Sequence, residues 1–390
     1  MQVLVIGGCG IQGRAALDYL SRSNETTRVV VADLCPEILD SLDYVDKQKV
    51  TAVKLDIQDK NALLALMKQG FEVVIEFLPP EFMKLVAEAA IEAGVNLVNT
   101  NYSYAITSLN DNAIKSGITI MPECGYDPGL DLVLYNYGFK LFDEIHVLNS
   151  YCGGFPEKKA CTNPLKYKIS WNWSAALKSF NRNAVVITDG KPQEIKGKDQ
   201  HDNPFIHHID FPNLGKLEAS PNGNAVNFTD ILGVTKTIKE TGRYSLRWPG
   251  WSDFWKPLKK LGCLSESPVT GLPCEISPFD FFCKWLEPQL GYKDDEKDLA
   301  VMQNIFIGTK DGKNRKLTIN ISIERDLSTG IMGMARGVGY PACIVAEMIA
   351  KGKIVKKGIL SPVKDIPADQ FLSKIKEQGV EVEILDEFTD

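Results

Sequence analysis

Met1-Gln-Val-Leu-Val-Ile-Gly-Gly-Cys-Gly-Ile-Gln-Gly13 opens the chain as an apolar strand running straight into a glycine-rich turn. Gly8, Gly10 and Gly13 match G-x-G-x-x-G, and Arg14-Ala-Ala-Leu-Asp-Tyr-Leu20 continues as a helix with Ala16, Leu17 and Leu20 on one side. Each glycine serves a physical purpose, one making the tight turn, one admitting backbone to a pyrophosphate, one letting helix and strand touch. The helix N-terminus offers unpaired N–H groups and a positive dipole end to the anion, with Ile11 and Gln12 in the turn beside it. A second strand, Thr27-Arg-Val-Val-Val-Ala32, ends in Asp33, 20 residues past Gly13. A carboxylate there accepts hydrogen bonds from the adenosine ribose hydroxyls and repels a 2′-phosphate. Leu34-Cys35-Pro36 follows with no Arg. The expected cofactor is NAD, with NADP disfavoured.

Working outward, residues 1 to about 125 alternate strand and helix, which predicts a doubly wound parallel sheet of the Rossmann kind. Val50–Leu55 reads as a strand ending at Asp56-Ile57, followed by a helix from Lys60 to Gln69. Glu72–Leu78 is the next strand, stopped at Pro79-Pro80 before a helix from Glu81 to Ala93. Asn96–Thr100 and Ile118–Met121 complete the set. Ligands of such sheets lie outside the strands' carboxyl ends. Asp56, Ile57, Leu78 and Thr100 are therefore expected at the cofactor, although Leu78-Pro79 also reads as ordinary helix entry.

From about 130 the texture changes. A helix from Leu130 to Leu141 leads out, and strand-like runs recur at Glu144–Cys152, Ala184–Thr188, Leu214–Ala219, Met302–Gly308 and Lys316–Glu324. They predict a mixed or antiparallel sheet in a second α+β domain. Tyr244–Cys263 reads as helical and aromatic, its Trp residues packed in a core. Gly330–Ala350 reads as a long apolar helix that returns to the first domain. The expected division is 1–129 for the dinucleotide domain, 130–330 for substrate binding and dimerisation, and 331–390 for a C-terminal helix and tail.

Composition excludes several classes. The 390 residues carry a net charge of −6 with only 44 Lys and Arg, which argues against nucleic acid or an anionic membrane surface as partner. No apolar run reaches membrane-spanning length. The short apolar stretch after Gln2 lacks the basic flank of a signal peptide. Nine cysteines without C-x-x-C pairs point to reduced thiols in the cytoplasm. Four histidines, with His207-His208 on opposite faces of a strand, supply no metal-binding spacing, so no metal is expected.

Met121-Pro-Glu-Cys-Gly-Tyr-Asp-Pro-Gly-Leu-Asp131, Ser150-Tyr-Cys-Gly-Gly-Phe-Pro156, Asn163-Pro-Leu-Lys-Tyr-Lys-Ile-Ser-Trp171, Ser245-Leu-Arg247 with Gly250-Trp251, Tyr292–Gln303 and Gly339-Tyr-Pro341 together resemble a known family. It is that of the glutamate-forming saccharopine dehydrogenases, or saccharopine reductases. The likeness spans nearly the whole chain except a shortened stretch around 262–290. It implies oxidation of saccharopine with NAD(P) and water to glutamate and 2-aminoadipate 6-semialdehyde, or the reverse reduction. It also implies a homodimer acting on a small amino-acid substrate.

The resemblance assigns roles residue by residue. Asp127 matches an Asp that contacts substrate, and a carboxylate suits the substrate's ammonium; a turn residue before Pro128 is the alternative. Asp131 stands at the cofactor or caps the next helix. Cys152 matches a Cys at the substrate site, as acid–base group or as a small buried thiol before Gly153-Gly154, which allow close ligand approach. Asn101 and Tyr102 match a Ser-Tyr pair at the substrate, Tyr102 with a possible catalytic role and Tyr104 as its rival. Arg247 is the expected carboxylate clamp, because its planar fork binds two oxygens at once; a surface ion pair is the alternative. Lys168 is a second cation. One departure stands out: the family's Pro-Asn-Arg-Asp-Ser, whose Arg binds a substrate carboxylate, is here Pro221-Asn-Gly-Asn-Ala225. A lost charged hydrogen bond costs roughly 1.5–3 kcal/mol. Either Arg243 or Arg336 compensates, or the substrate lacks that carboxylate. An amine or imine dehydrogenase acting on lysine or a carboxylated polyamine, and a non-catalytic NAD-binding protein, are the competing readings.

Overall fold

Short apolar strands that are buried on both faces can pair in parallel only if helices cover them, and the N-terminal third does this. In the computed structural model, which describes residues 1–389, β1 (Gln2–Ile6), β2 (Arg28–Asp33), β3 (Val50–Lys54), β4 (Val73–Glu76), β5 (Asn96–Asn99) and β6 (Thr119–Met121) form one parallel sheet. A late strand, Gly358–Ile359, adds to β6, giving the order Gly358–Ile359, β6, β5, β4, β1, β2, β3. The order reverses direction between β1 and β4, so the crevice above their carboxyl ends is the switch point where ligands of this architecture lie.

Helices α1 (Ile11–Arg22), α2 (Lys60–Met67), α3 (Met83–Ala93), α4 (Asn110–Lys115) and α5 (Leu130–Phe139) connect and follow these strands. Leu4, Ile6, Val74 and Leu97 meet Leu63, Met67, Met83 and Val86 of α2 and α3 in one buried cluster. The helix Gly333–Ala350 packs on α1: a side chain on Gly339 would lie 2.7 Å from Ala16 N, and the Tyr340 hydroxyl donates to Asp18 at 2.7 Å.

The second unit is built on a mixed sheet. Its strands are β7 (Glu144–Pro156), β8 (Ala184–Thr188), β9 (Lys191–Ile195), β10 (His207–Phe211), β11 (Gly215–Pro221), β12 (Glu240–Arg247), β13 (Asp298–Lys310) and β14 (Lys313–Glu324). The main path runs β10, β11, β12, β7, β13, β14 and then Glu381–Thr389, with β8 on β12 and β9 on β8. Among the described residues, only β12 and β7 pair in parallel within it. Helices α6 (Trp173–Ser179), α7 (Val226–Leu232), α8 (Trp251–Lys260) and α9 (Pro278–Leu286) belong here, and Trp251, Trp255, Trp173 and Phe279 share a buried cluster.

One expectation is corrected. Tyr244–Arg247 is not the start of a helix but the end of β12; the helix begins at Trp251. Tyr244, Leu246 and Trp248 join an apolar cluster with Tyr151 and Phe155, so alternation at a period of two decides the strand. The compact units also divide the chain elsewhere than at 129 and 330. One comprises Met1–Tyr137 with Ala335–Val380, the other Gly138–Met334 with the strand from Glu381. Most of α5 stays with the first, where Asn136 donates to Pro362 O and Ile366 O. The last strand stays with the second through pairing to β14 and the Arg315–Asp386 ion pair at 2.7 Å.

Candidate active site

In the first unit the glycine turn is fixed by close packing. Gly7, in left-handed conformation at φ +76°, makes the reversal; its own backbone N–H donates to Ala32 O. A side chain on Gly8 would strike Val31, and one on Gly13 would sit 2.5 Å from Gly7 O and Gly8 Cα. Gly10 differs: its nearest neighbour would be Gly7 O at 3.3 Å, so the space above it is open. Gly10 caps α1 with no side chain, leaving the helix N-terminus bare beside exposed Ile11. The cradle thus fits a pyrophosphate, with N–H groups free of any capping side chain. Gln12 buries its Oε1 without a hydrogen-bond partner among the described residues.

Asp33 ends β2 beside this turn. Its two carboxylate oxygens accept N–H groups from Cys9 at 3.0 Å and Cys35 at 3.1 Å, which aims the carboxylate and leaves lone pairs for a ribose. Burial, then the Asp33 charge, pushes the Cys9 thiol up to about 11, so it stays protonated. Asp56 is exposed and accepts Gln58 N–H in a turn, while Ile57 is buried in the strand–helix core. Leu78 and Thr100 are half-buried at the ends of β4 and β5.

The loops after β4 and β5 are bridged: the Asn101 amide donates to Leu78 O at 3.0 Å. Beside them the Tyr102 hydroxyl stands 3.4 Å from Asp127 Oδ1, and the Tyr102 ring stacks on Tyr104. The fold therefore unites Tyr102 and Asp127, which the sequence separates by 25 residues. Asp131 is fully buried and accepts Gly129 N–H at 2.8 Å, closing the turn at the head of α5. Gly129 is obligatory there, since any side chain would strike Gly125. Arg336 donates to Gln378 O and stacks on Tyr340.

In the second unit the strand register places Ser150, Cys152 and Gly154 of β7, Arg243, Ser245 and Arg247 of β12, and Glu218 and Ser220 of β11 on one face. The opposite face is the apolar cluster of Tyr151, Phe155, Leu246 and Trp248. Gly153 and Gly154 lack side chains because protein atoms fill the space: Leu246 O lies 2.5 Å from a Cβ on Gly153, and Met334 Cε 2.5 Å from one on Gly154. Backbone therefore fills the space at Gly153, whereas at Gly154 the neighbour is the flexible end of a side chain, which can yield.

Arg247 is buried with its guanidinium over the Tyr167 and Trp251 rings, at 5.4 and 5.2 Å. One of its nitrogens donates to Leu246 O; its Nε has no partner, and no ion pair reaches it among the described residues. Glu218, opposite it on β11, turns both oxygens to the N–H groups of Gly250 and Ser252 at the head of α8. Burial pushes the guanidinium below its ordinary value, opposed by Tyr167, Cys152 and Tyr292 nearby. The Tyr292 hydroxyl and Ser170 Oγ are likewise buried without partners. A cation with a partnerless Nε and two hydroxyls unpartnered among the described residues suit a carboxylate ligand. Lys168 is placed differently: its ammonium is buried against Glu296 at 2.6 Å, so its charge is already matched. Gly223 adopts φ +70°, and the Pro221–Ala225 loop carries no cation. Ser170, Tyr292 and Gly7 fall in stretches the sequence singles out but receive no role there, the first two because nothing local marks an unpartnered hydroxyl.

A parallel sheet with a glycine cradle at its switch point, joined in sequence to a mixed sheet with a buried arginine, defines a two-unit dinucleotide-binding protein. The chain belongs to the saccharopine dehydrogenase family. Residues 3–121 match the model of the saccharopine dehydrogenase NADP binding domain, and residues 125–380 that of the saccharopine dehydrogenase C-terminal domain. It is 26% identical over 442 residues to alpha-aminoadipic semialdehyde synthase, mitochondrial, of Mus musculus, covering 97% of this chain and 47% of that one. The chain thus spans about half the length of that relative. It is 26% identical to saccharopine dehydrogenase [NADP(+), L-glutamate-forming] of Saccharomyces cerevisiae, covering 96% and 97%. The Schizosaccharomyces pombe protein of that name is 25% identical, covering 99% and 100%. Among solved structures, apo histidine-tagged saccharopine dehydrogenase (L-Glu forming) from Saccharomyces cerevisiae superposes with a TM-score of 0.86 at 23% identity, each chain fully covered. That likeness shows the shared fold. Among the described residues no helix is long and apolar enough to cross a membrane.

Proposed function

We propose that the chain is a nicotinamide-dependent oxidoreductase acting on the CH–NH bond of saccharopine, forming L-glutamate and 2-aminoadipate 6-semialdehyde or running in reverse. The observation that carries this reading is Arg247, a buried guanidinium with no ion pair among the described residues and with the unpartnered Tyr292 hydroxyl nearby. An amino-acid substrate rich in carboxylates supplies what that cluster lacks. The S. cerevisiae and S. pombe relatives are named as saccharopine dehydrogenases that use NADP(+) and form L-glutamate.

A nicotinamide coenzyme, when bound, would supply the acceptor for a hydride from the lysyl ε-carbon. The protein itself must hold the carboxylates, take a proton from the secondary ammonium, and admit water to cleave the imine. Arg247 holds one carboxylate, and Arg243, on the same face of β12, serves a second in place of the cation missing at Gly223. The Asp127 carboxylate, with Tyr102 beside it, binds the ammonium and receives its proton; Cys152 remains a further candidate for proton transfer. Lys168 supports the wall through Glu296, and Asn101 sets the loop through Leu78. For a bound coenzyme, Gly8, Gly10, Ile11, Gln12 and Gly13 would hold the pyrophosphate, Asp33 the ribose, and Leu78 and Thr100 the nicotinamide half. Asp56, Ile57 and Asp131 border that crevice.

Coenzyme choice draws on opposed signals. The family model and the two fungal relatives are described with NADP, whereas an acid at the end of β2 with no Arg after it favours NAD. Because Asp33 is the residue actually present, NAD is the coenzyme we assign. The family supports a homodimer, and nine free cysteines suit the cytoplasm.

Gly223 favours a second reading, a sister dehydrogenase acting on lysine or a carboxylated polyamine. Mixing the protein with NAD or NADP and saccharopine, then lysine, and following the absorbance of the reduced coenzyme decides between them. Turnover of saccharopine is expected; turnover of lysine alone would overturn the first reading.

A further inference from the structure

Glu76 is the last residue of β4, between Ile6 of β1 and Asn99 of β5. It is 0% exposed, and neither carboxyl oxygen has a hydrogen-bond partner among the described residues. Its neighbour Asn99 is equally buried; Oδ1 accepts Asn101 N–H, while Nδ2 is unpartnered. A carboxyl group in a dry site costs free energy unless it stays neutral, so its retention in the middle of a sheet calls for a use.

Position suggests the use. Ile6 and Glu76 are paired at the carboxyl ends of β1 and β4, which flank the switch point, and Phe77 N–H donates to Ile6 O directly under the glycine turn. Asp33 assigns the adenosine half to the β2 side of that turn. The nicotinamide half of a bound coenzyme would then lie on the other side, toward the ends of β4 and β5 that carry Glu76 and Asn99.

We propose that Glu76 is a proton-binding site of the coenzyme crevice: it holds a proton in the free protein and releases it when the positively charged, oxidised nicotinamide ring lies above β4. This rests on the nicotinamide reading above and deepens it. The face around Glu76 is apolar: Leu4 and Ile6 from β1, Leu97 from β5, Leu63 and Met67 from α2, Met83 and Val86 from α3. Charged residues of those helices (Lys60, Lys84, Glu88, Glu92) are exposed, and burial alone pushes the carboxyl up to about 8. With no competing charge close by among the described residues, a cation placed over the site in a low-dielectric surrounding would pull the group toward its ionised form. The step balances: protonated Glu76 plus oxidised coenzyme gives the complex of the carboxylate with that coenzyme, plus one proton to solvent. Reduced coenzyme, whose ring is neutral, releases none.

Reciprocity follows, because a proton expelled by a ligand makes that ligand bind more tightly as pH rises. The test is calorimetric titration of the full chain with NAD+, NADH, NADP+ and NADPH, at about pH 7 in phosphate and in Tris. These buffers differ in ionisation enthalpy, so the proton count is read directly. The expected result is close to one proton released per oxidised coenzyme and none per reduced coenzyme, with affinity for the oxidised form rising up to about tenfold per pH unit between roughly pH 6 and 8. Glu76→Gln should bind both forms and abolish the release and the slope. Equal proton counts for oxidised and reduced forms in the unaltered protein would overturn the inference without any variant, as would release that persists in Glu76→Gln. Failure of all four coenzymes to bind would instead remove the nicotinamide reading, and the inference with it.

Discussion

The Asp33 carboxylate accepts the backbone N–H of Cys9 at 3.0 Å, tying the end of β2 to the middle of the glycine turn. The residue assigned to the ribose is thereby also a brace for the cradle, and a test must separate the two roles. Asp33→Asn keeps an acceptor for Cys9 while removing the charge. NAD affinity should fall about ten- to a hundredfold, as expected for a lost charged hydrogen bond of roughly 1.5–3 kcal/mol. NADP affinity should hold or improve, because the repulsion of a 2′-phosphate is gone. Fluorescence titration with both coenzymes checks it; equal losses would take the acid away from the ribose.

Arg247 lies over two aromatic rings, so its removal disturbs packing as well as charge. Arg247→Lys keeps the charge and loses the planar fork. The KM for saccharopine should rise about tenfold or more, with coenzyme affinity unchanged. Tyr292→Phe, which deletes one unpartnered hydroxyl, should raise KM by a smaller factor. Steady-state kinetics alongside coenzyme titration separates these outcomes, and unaltered KM values in both variants would remove the cluster from the substrate site.

Much of this was legible in the sequence, because the first unit is written in local patterns. Apolar strands, glycine spacing and an acid at the end of the second strand each fall within a few residues of their physical cause. What escaped depends on distant partners. Lys168 reads as a spare cation until Glu296, 128 residues on, is found against it. Tyr244–Arg247 reads as helix because the tryptophans beyond it are helical, although its alternation of Tyr244 and Leu246 with Arg243 and Ser245 already had the period of a strand. Glu76 sits inside an apolar run, and no local feature says that an acid there is sealed from water.

That sealing has a consequence for stability. An unfolded chain leaves Glu76 at its ordinary value near 4.5, while the folded chain holds it up to about 8. Between these values the folded state binds more protons, so stability is lost as pH rises through the window. At pH 7 the cost is about 3 kcal/mol. Glu76→Leu, which fills the site without a polar group, should flatten the decline of melting temperature between roughly pH 5 and 8 and exceed the unaltered protein at about pH 8. Thermal melts across that range give the answer; parallel curves would mean the carboxyl is solvated.

Gly10 and Gly13 should separate folding from binding. Alanine at 13 would place its Cβ 2.5 Å from Gly7 O and Gly8 Cα, which are backbone atoms with no freedom to yield. Overpacking of that kind costs about 1–3 kcal/mol, and Gly13→Ala should lose both melting temperature and coenzyme binding. Gly10 has φ −68° and ψ 166°, a conformation alanine adopts readily, and its Cβ would meet only Gly7 O at 3.3 Å. Gly10→Ala should therefore melt like the unaltered protein. Its methyl group would nevertheless occupy the open space above the bare head of α1, the site proposed for the pyrophosphate. Coenzyme affinity should fall by at least about tenfold, equivalent to roughly 1.4 kcal/mol. Melting curves with and without coenzyme distinguish the two variants, and a Gly10→Ala protein that binds normally would place the pyrophosphate somewhere other than this turn.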